Sequence, residues 1–185
     1  MKKICLIITL IAGCTYLQAQ DKFFTKTGKI FFECTKSPLE KIEAINKSST
    51  CVLDIKTGSL QFAVLMKGFE FERALMQEHF NENYVESSKF PKSDLKGQIV
   101  NNNEIDYAKN GEYTAKVKGR LQIHGQTKDV ETTGKIIIKE GKITTSAKFD
   151  LLLSDYNIRI PSLVNDKISN KVNIAVDCSL IPFKR

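Results

Sequence analysis

The sequence predicts an all-β fold: an eight-stranded antiparallel barrel with one short helix at one end. Three observations predict it. Apolar and polar residues alternate with a period of two along most of the chain after residue 20, the signature of half-buried strands. Short turns carrying glycine or asparagine join successive runs, as hairpins require. The longest runs extend over roughly 11–12 residues, about twice the usual strand. A flat sheet of such strands would leave two long unpaired edges, and closure into a barrel removes them.

The elements follow in order. Lys29 to Cys34 is the first run, with Ile30, Phe32 and Cys34 on one face. Thr50 to Ile55 is the second, and Lys56-Thr57-Gly58 turns it into a third whose Leu60, Phe62, Val64 and Met66 share a face. The period then changes. Phe71, Leu75, Met76, His79 and Phe80 recur at helical spacing, so Glu72 to Asn83 is a helix with one apolar side. Pro91 breaks the next stretch, and Asp94 to Asn101 is the fourth strand. Asn101-Asn102-Asn103 and Lys109-Asn110-Gly111 are turn chemistry. Tyr113, Ala115, Val117, Gly119, Leu121 and Ile123 alternate with polar neighbours in the fifth strand. Gly125-Gln126-Thr127 leads into Val130 to Ile138, and Lys139-Glu140-Gly141 into a strand that turns Ile143, Thr145, Ala147, Phe149, Leu151 and Leu153 inward. A looser stretch holds Tyr156, Ile158, Ile160 and Pro161. The eighth strand presents Val172, Ile174, Val176, Cys178 and Leu180 to the interior.

The first twenty residues have a different character. Lys2 and Lys3 precede an apolar run from Ile4 to Ala12, and Gln18, Gln20 and Asp21 follow. This describes a secretory signal over residues 1–19, leaving 20–185 as the barrel domain. The run is shorter than the roughly 20 residues that span a bilayer. Two cleavage points compete. Cutting after Ala19 releases a periplasmic or secreted protein. Cutting before Cys14 uses Ile11-Ala12-Gly13-Cys14, which resembles a lipoprotein signal and anchors the chain to a membrane through Cys14. Both routes export it.

The rest of the composition excludes several classes. The chain has 185 residues, 42% of them hydrophobic, with only 4 Pro, which fits one globular domain and not a disordered chain. Loss of Lys2 and Lys3 lowers the formal charge from +7 to +5, a surplus spread along the chain. Arg73, Arg120, Arg159 and Arg185 are its arginines, and no basic cluster interleaved with aromatics marks a nucleic-acid face. Cys34, Cys51 and Cys178 remain after Ala19, none in a CxxC arrangement. Alternation places Cys34 and Cys178 inward as reduced core residues. His79 and His124 have no metal-ligand spacing, and neither a GxSxG motif nor a glycine-rich phosphate loop is present. No enzyme chemistry, metal or cofactor is predicted. His124 ends a strand at a tight turn and is expected at the surface. Glu33, Asp54 and Asp150 fall on outer faces. Nothing in the pattern sets the oligomeric state.

Three stretches in their order resemble the YceI-like family. They are Phe69 to Val100 (FEFERALMQEHFNENYVESSKFPKSDLKGQIV), Gly119 to Val130 (GRLQIHGQTKDV) and Phe149 to Pro161 (FDLLLSDYNIRIP). Ser154 and Asn157 stand where many members carry an Arg and a Gly. The resemblance implies a lipocalin-like barrel, exported, with an elongated apolar cavity that in some members binds polyisoprenoids or related amphiphiles. The implied partner is a long-chain isoprenoid or other amphiphilic lipid.

On barrel closure, Phe62 and Val64, Val117 and Leu121, Ala147, Phe149 and Leu151, and Ile174 converge on the interior as ligand-binding candidates. The helix adds Phe71, Met76, His79 and Phe80. Gly119 and Ala147 are small and expected to leave room along the axis. His79, Tyr156 and Arg159 are expected at the mouth. Two other readings stay open: an envelope stress or structural protein with a filled barrel, and a small cavity enzyme.

Overall fold

The computed structural model describes residues 21–36 and 41–183; the predicted leader, Cys14 included, lies outside the described residues. The strands are β1 (Lys22–Thr35), β2 (Glu43–Asp54), β3 (Ser59–Leu65), β4 (Phe69–Glu70), β5 (Lys92–Ile99), β6 (Gly111–Ile123), β7 (Gln126–Lys139), β8 (Lys142–Leu152) and β9 (Ile168–Pro182). Every pairing is antiparallel, in the order β1-β9-β8-β7-β6-β5-β3-β2, and β1 pairs with β2 to close the ring. The two-residue β4 only adds to β2. Eight strands therefore form the wall, at the eight places where the alternation lies. One short helix, α1 (Ala74–His79), follows β4 and runs into a π-helical turn at Phe80–Tyr84. The predicted helix is thus present but shorter as an α-helix, because its second half widens to a five-residue turn that Val85 N–H closes on the Phe80 carbonyl.

Two apolar clusters divide the barrel. At one end Cys51, Leu53, Leu60, Ile136, Ile143 and Leu180 pack solidly. The β5–β6 loop seals that end. Asn101 donates to the Thr114 carbonyl at 2.9 Å and accepts from Lys116 N–H at 2.8 Å, while Asn102 donates to the Ile55 carbonyl at 2.8 Å. The asparagines read as a turn are therefore the stitches of the closed end, and Ile105 and Tyr107 pack beneath them. At the other end the second cluster surrounds a cavity covered by α1 and by the β8–β9 connection.

Gly119 does not open the axis as expected. It sits directly opposite Gly97, and a Cβ there would meet Gly97 Cα and the Lys96 carbonyl at 2.7 Å. The missing side chain is filled by the backbone of β5, so the pair sets how closely β5 and β6 approach. Gly119→Ala is expected to destabilise the barrel by about 3 kcal/mol, the upper part of the overpacking range. A urea titration measures this, with an unchanged midpoint as the contrary result.

Candidate functional site

The cavity has a volume of about 380 Å³ and an almost entirely apolar wall. This lies within the range of small-molecule sites, roughly 300–1,000 Å³. The strands build the wall by simple alternation. Ile30, Phe32 and Cys34 of β1 line it, as do Phe62 and Val64 of β3, Leu121 and Ile123 of β6, Phe149 and Leu151 of β8, and Val172, Ile174 and Val176 of β9. Four phenylalanines fix the cover to the wall. Phe32 of β1 meets Phe69, Phe71 and Phe80 at centroid separations of 5.3, 5.8 and 5.6 Å, and Phe71 meets Phe80 at 5.1 Å. Phe32 meets Phe69 and Phe71 edge-to-face and stacks on Phe80, and such ring pairs stabilise beyond the area they bury.

Of the fourteen candidates, eleven line the cavity: Phe62, Val64, Phe71, Met76, His79, Phe80, Leu121, Phe149, Leu151, Tyr156 and Ile174. Three do not. Val117 packs into the closed-end cluster. Ala147 lies between Gly134 and Val176 in the wall, where its methyl group sits 3.2 Å from the place a Gly134 Cβ would take. Arg159 is exposed, outside the lining. The first two corrections have one cause: alternation tells which way a side chain points, not at what height along the axis it sits; Arg159 lies off the strands, in the β8–β9 connection, where alternation does not fix its direction. Leu75, read as part of the apolar helix side, lies at the rim and is 60% exposed. The sequence reading left out Arg73 and Lys167, which stand at the mouth, and Leu95, Ile158 and Ile168. Ile30, Phe32 and Cys34 were legible as an inward face but were not assigned to the site.

His124 is the clearest departure. Expected at the surface, its side chain is only 11% exposed. Nε2 lies 2.7 Å from Glu86 Oε2 and Nδ1 lies 3.0 Å from the Tyr156 carbonyl oxygen. The Phe90 ring packs edge-on at 4.5 Å. One imidazole thus ties together the segment after α1, the β6–β7 turn and the β8–β9 connection. Glu86 and His124 both hold positive φ, 45° and 50°, a conformation side chains avoid unless surrounding contacts over-determine it. The adjacent Val85 and the tethered Tyr156 line the cavity, so this tie positions two of its walls. Asn157 also has φ 55°, which asparagine tolerates better than most residues and glycine tolerates freely.

Cys34, Cys51 and Cys178 are buried free thiols, as the alternation predicts for Cys34 and Cys178. Burial, reinforced by the charge of Glu33, pushes the Cys34 thiol up to about 12. Its hydrogen bond with Cys178, and then burial, raise the Cys51 thiol as well. The thiolate is the nucleophile. We expect iodoacetamide at pH 8 to leave Cys34 and Cys51 unmodified in the native protein and to label them on denaturation. Intact mass reads this directly, and rapid native labelling would contradict it.

Among the described residues, no group of His, Cys, Asp or Glu is arranged to hold a metal ion. The fold and cavity define a class: a closed antiparallel barrel, solid at one end, with an internal apolar chamber opening at the other. The sequence matches the YceI-like domain over residues 25–180, and the chain belongs to that family. No curated protein matches it in sequence. Among solved structures it is similar to a polyisoprenoid binding domain from Saccharophagus degradans implicated in plant cell wall breakdown. The TM-score is 0.77 at 12% identity, over 89% of this chain and 100% of that one. It is also similar to BcnA of Burkholderia cenocepacia, with a TM-score of 0.67 at 15% identity over 83% of this chain and 96% of that one. Such identities show a shared fold.

Proposed function

We propose that the protein is an exported, noncatalytic carrier that holds the apolar tail of a long isoprenoid or similar amphiphilic lipid. The observation that carries this is the chamber itself: about 380 Å³ bounded by apolar side chains from β1, β3, β6, β8 and β9, in a barrel whose other end is packed solid. Water in such a space lacks hydrogen-bond partners, whereas each CH₂ transferred into it from water stabilises the complex by about 0.8 kcal/mol. The YceI-like family membership and the named ligand class of the Saccharophagus degradans domain support the isoprenoid reading. Met76, unbranched and half-buried at the mouth, adapts to tails of varied shape.

The test is to purify the protein from its native envelope, extract it with organic solvent and identify the extract by mass spectrometry. A long-chain lipid in near-stoichiometric amount is the expected result. A lipid-free protein that also fails to take up lipid when reloaded would favour the structural reading with no ligand. Export belongs to the same proposal, on the Lys2-Lys3 and Ile4–Ala12 pattern. Intact mass of the native protein should show a chain beginning at Gln20, or an acylated chain beginning at Cys14. A chain beginning at Met1 in the mature pool would overturn it.

A further inference from the structure

The β6–β7 and β7–β8 hairpins turn on the same backbone. His124 and Glu140 hold φ 50° and 51°, and Gly125 and Gly141 follow at φ 72° and 74°. Positive φ at both residues is what a two-residue hairpin loop of this kind needs, and it favours Asn, Asp or Gly at the first position. The β7–β8 turn stands clear: Glu140 is exposed, and a Cβ on Gly141 would meet nothing within 4 Å. The β6–β7 turn is packed. A Cβ on Gly125 would meet the Phe90 ring at 2.7 Å, and His124 carries a buried imidazole where an asparagine would serve the turn better. The histidine is therefore there for its side chain. The Tyr156 carbonyl can only accept, so Nδ1 donates to it, while Nε2 faces the Glu86 carboxylate. Glu86 lies in the connection between the π-helical turn and β5, and Asn157 follows Tyr156 directly. Of the four non-glycine residues with positive φ among the described residues, three thus lie in or beside this one knot. Backbone held in sparsely populated conformations gathers at ligand clamps and switch segments. The cover carries a second cost: Asn81, in the π-helical turn, buries its Oδ1 without a hydrogen-bond partner.

Each half of the cover has a fastening of its own. Phe71 and Phe80 hold the α1 half to Phe32 of β1, and Asn170 of β9 holds Ser154 of the β8–β9 connection by two hydrogen bonds of 3.0 and 3.1 Å. His124 joins the halves. It does not line the chamber, but Tyr156 and Val85, the neighbour of Glu86, do. We infer that the His124 knot is the latch of the chamber: release of Glu86 and Tyr156 from the imidazole lets residues 85–90 and 153–158 part, which widens the mouth for a tail to enter or leave. The inference rests on the tail-holding reading above and adds how the tail passes. His124 is then a positioning residue, acting through Val85 and Tyr156. Because the latch holds the cover shut over an empty and a loaded chamber alike, it slows entry and exit by one factor and leaves affinity unchanged. A residue that only shaped the wall would change affinity.

The experiment uses the delipidated mature protein with tritiated farnesol as the probe. Equilibrium dialysis gives the affinity, a chase of the loaded protein with excess unlabelled farnesol gives the exit rate, and the two together give the entry rate. His124→Asn and Glu86→Asn are the variants, since asparagine tolerates positive φ and its shorter amide does not span the knot. Both should speed exit and entry about tenfold, the factor that one hydrogen bond to a charged group commands, with affinity unchanged. The double variant should be no faster than His124→Asn alone, as a single shared tie demands. Amide hydrogen exchange of the empty variants should rise over residues 85–90 and 153–158 and stay as in wild type along β6 and β7, which also shows that the barrel is folded. Exit as slow as wild type in both folded variants would overturn the latch and leave farnesol binding, and with it the tail-holding reading, intact. So would faster exit matched by an equal loss of affinity, or exchange that rises throughout the barrel in both variants. A wild-type protein that takes up no farnesol would overturn both.

Discussion

Val64→Trp should abolish lipid retention. Val64 lies on β3, is nearly buried and lines the chamber. An indole projecting from that position occupies the volume that a tail would take. Overpacking of a tight core costs roughly 1–3 kcal/mol, but here the added atoms enter open space, so the fold should persist. Ile174→Trp on β9 repeats the test from another strand. Each variant would be delipidated, reloaded with a long-chain lipid and extracted. Loss of lipid from both, with an unchanged far-ultraviolet spectrum, is the expected outcome. Two folded tryptophan variants that retain lipid like wild type would show that the chamber is not the site. Ala147, which the sequence places along an open axis, is a poorer choice for such a test because it faces Gly134 within the wall.

Leu53→Ala should do the reverse. Leu53 is 0% exposed and belongs to the closed-end cluster, away from the chamber. Truncating a buried leucine costs about 2–5 kcal/mol through lost burial and the cavity left behind. For a domain of this size that lowers the melting temperature by on the order of 10 °C. Lipid retention by the folded fraction should be unchanged. The two substitutions thus separate the halves of the barrel: one removes ligand with little cost in stability, the other removes stability and spares the ligand. Thermal melting and lipid extraction on the same preparations would show it, and loss of ligand in folded Leu53→Ala protein would contradict the division.

How much of this was legible in the residues depends on how regular each strand is. Tyr113 to Ile123 and Ile143 to Leu153 alternate cleanly, and β6 and β8 lie where they read. The alternation covers only part of β1 and β2, and the reason is specific. Phe23 and Phe24 are consecutive, and the register shifts on either side of Gly28, so no period of two survives there. In β2 the inward positions include Asn46 and Ser49, both fully buried. Asn46 satisfies itself by donating to the Leu65 carbonyl at 3.0 Å and accepting from Ser48 N–H at 2.9 Å and Ser49 Oγ at 3.2 Å. A buried polar network looks like a loop to any rule that equates inside with apolar. The site was legible where it is wall, because inward alternation supplies apolar residues. It was not legible at the mouth. Arg73 and Lys167 are far apart in the sequence and reach the same cavity only through the barrel's closure. The burial of His124 depends on Glu86, Phe90 and Tyr156 arriving from two other segments.

The solid end of the barrel has a kinetic meaning. A chamber with one opening is a sheath: the tail goes in first and comes out last, and no stage of withdrawal can be assisted from behind. Escape of a loaded chain then requires returning its buried length to water, one methylene after another. At about 0.8 kcal/mol for each CH₂, every added carbon should lengthen residence roughly fourfold until the tail reaches the floor near Val176, after which extra carbons protrude and the clock stops slowing. A plot of dissociation rate against tail length should therefore fall steeply and then level off, and the break would measure the depth of the sheath from outside the molecule.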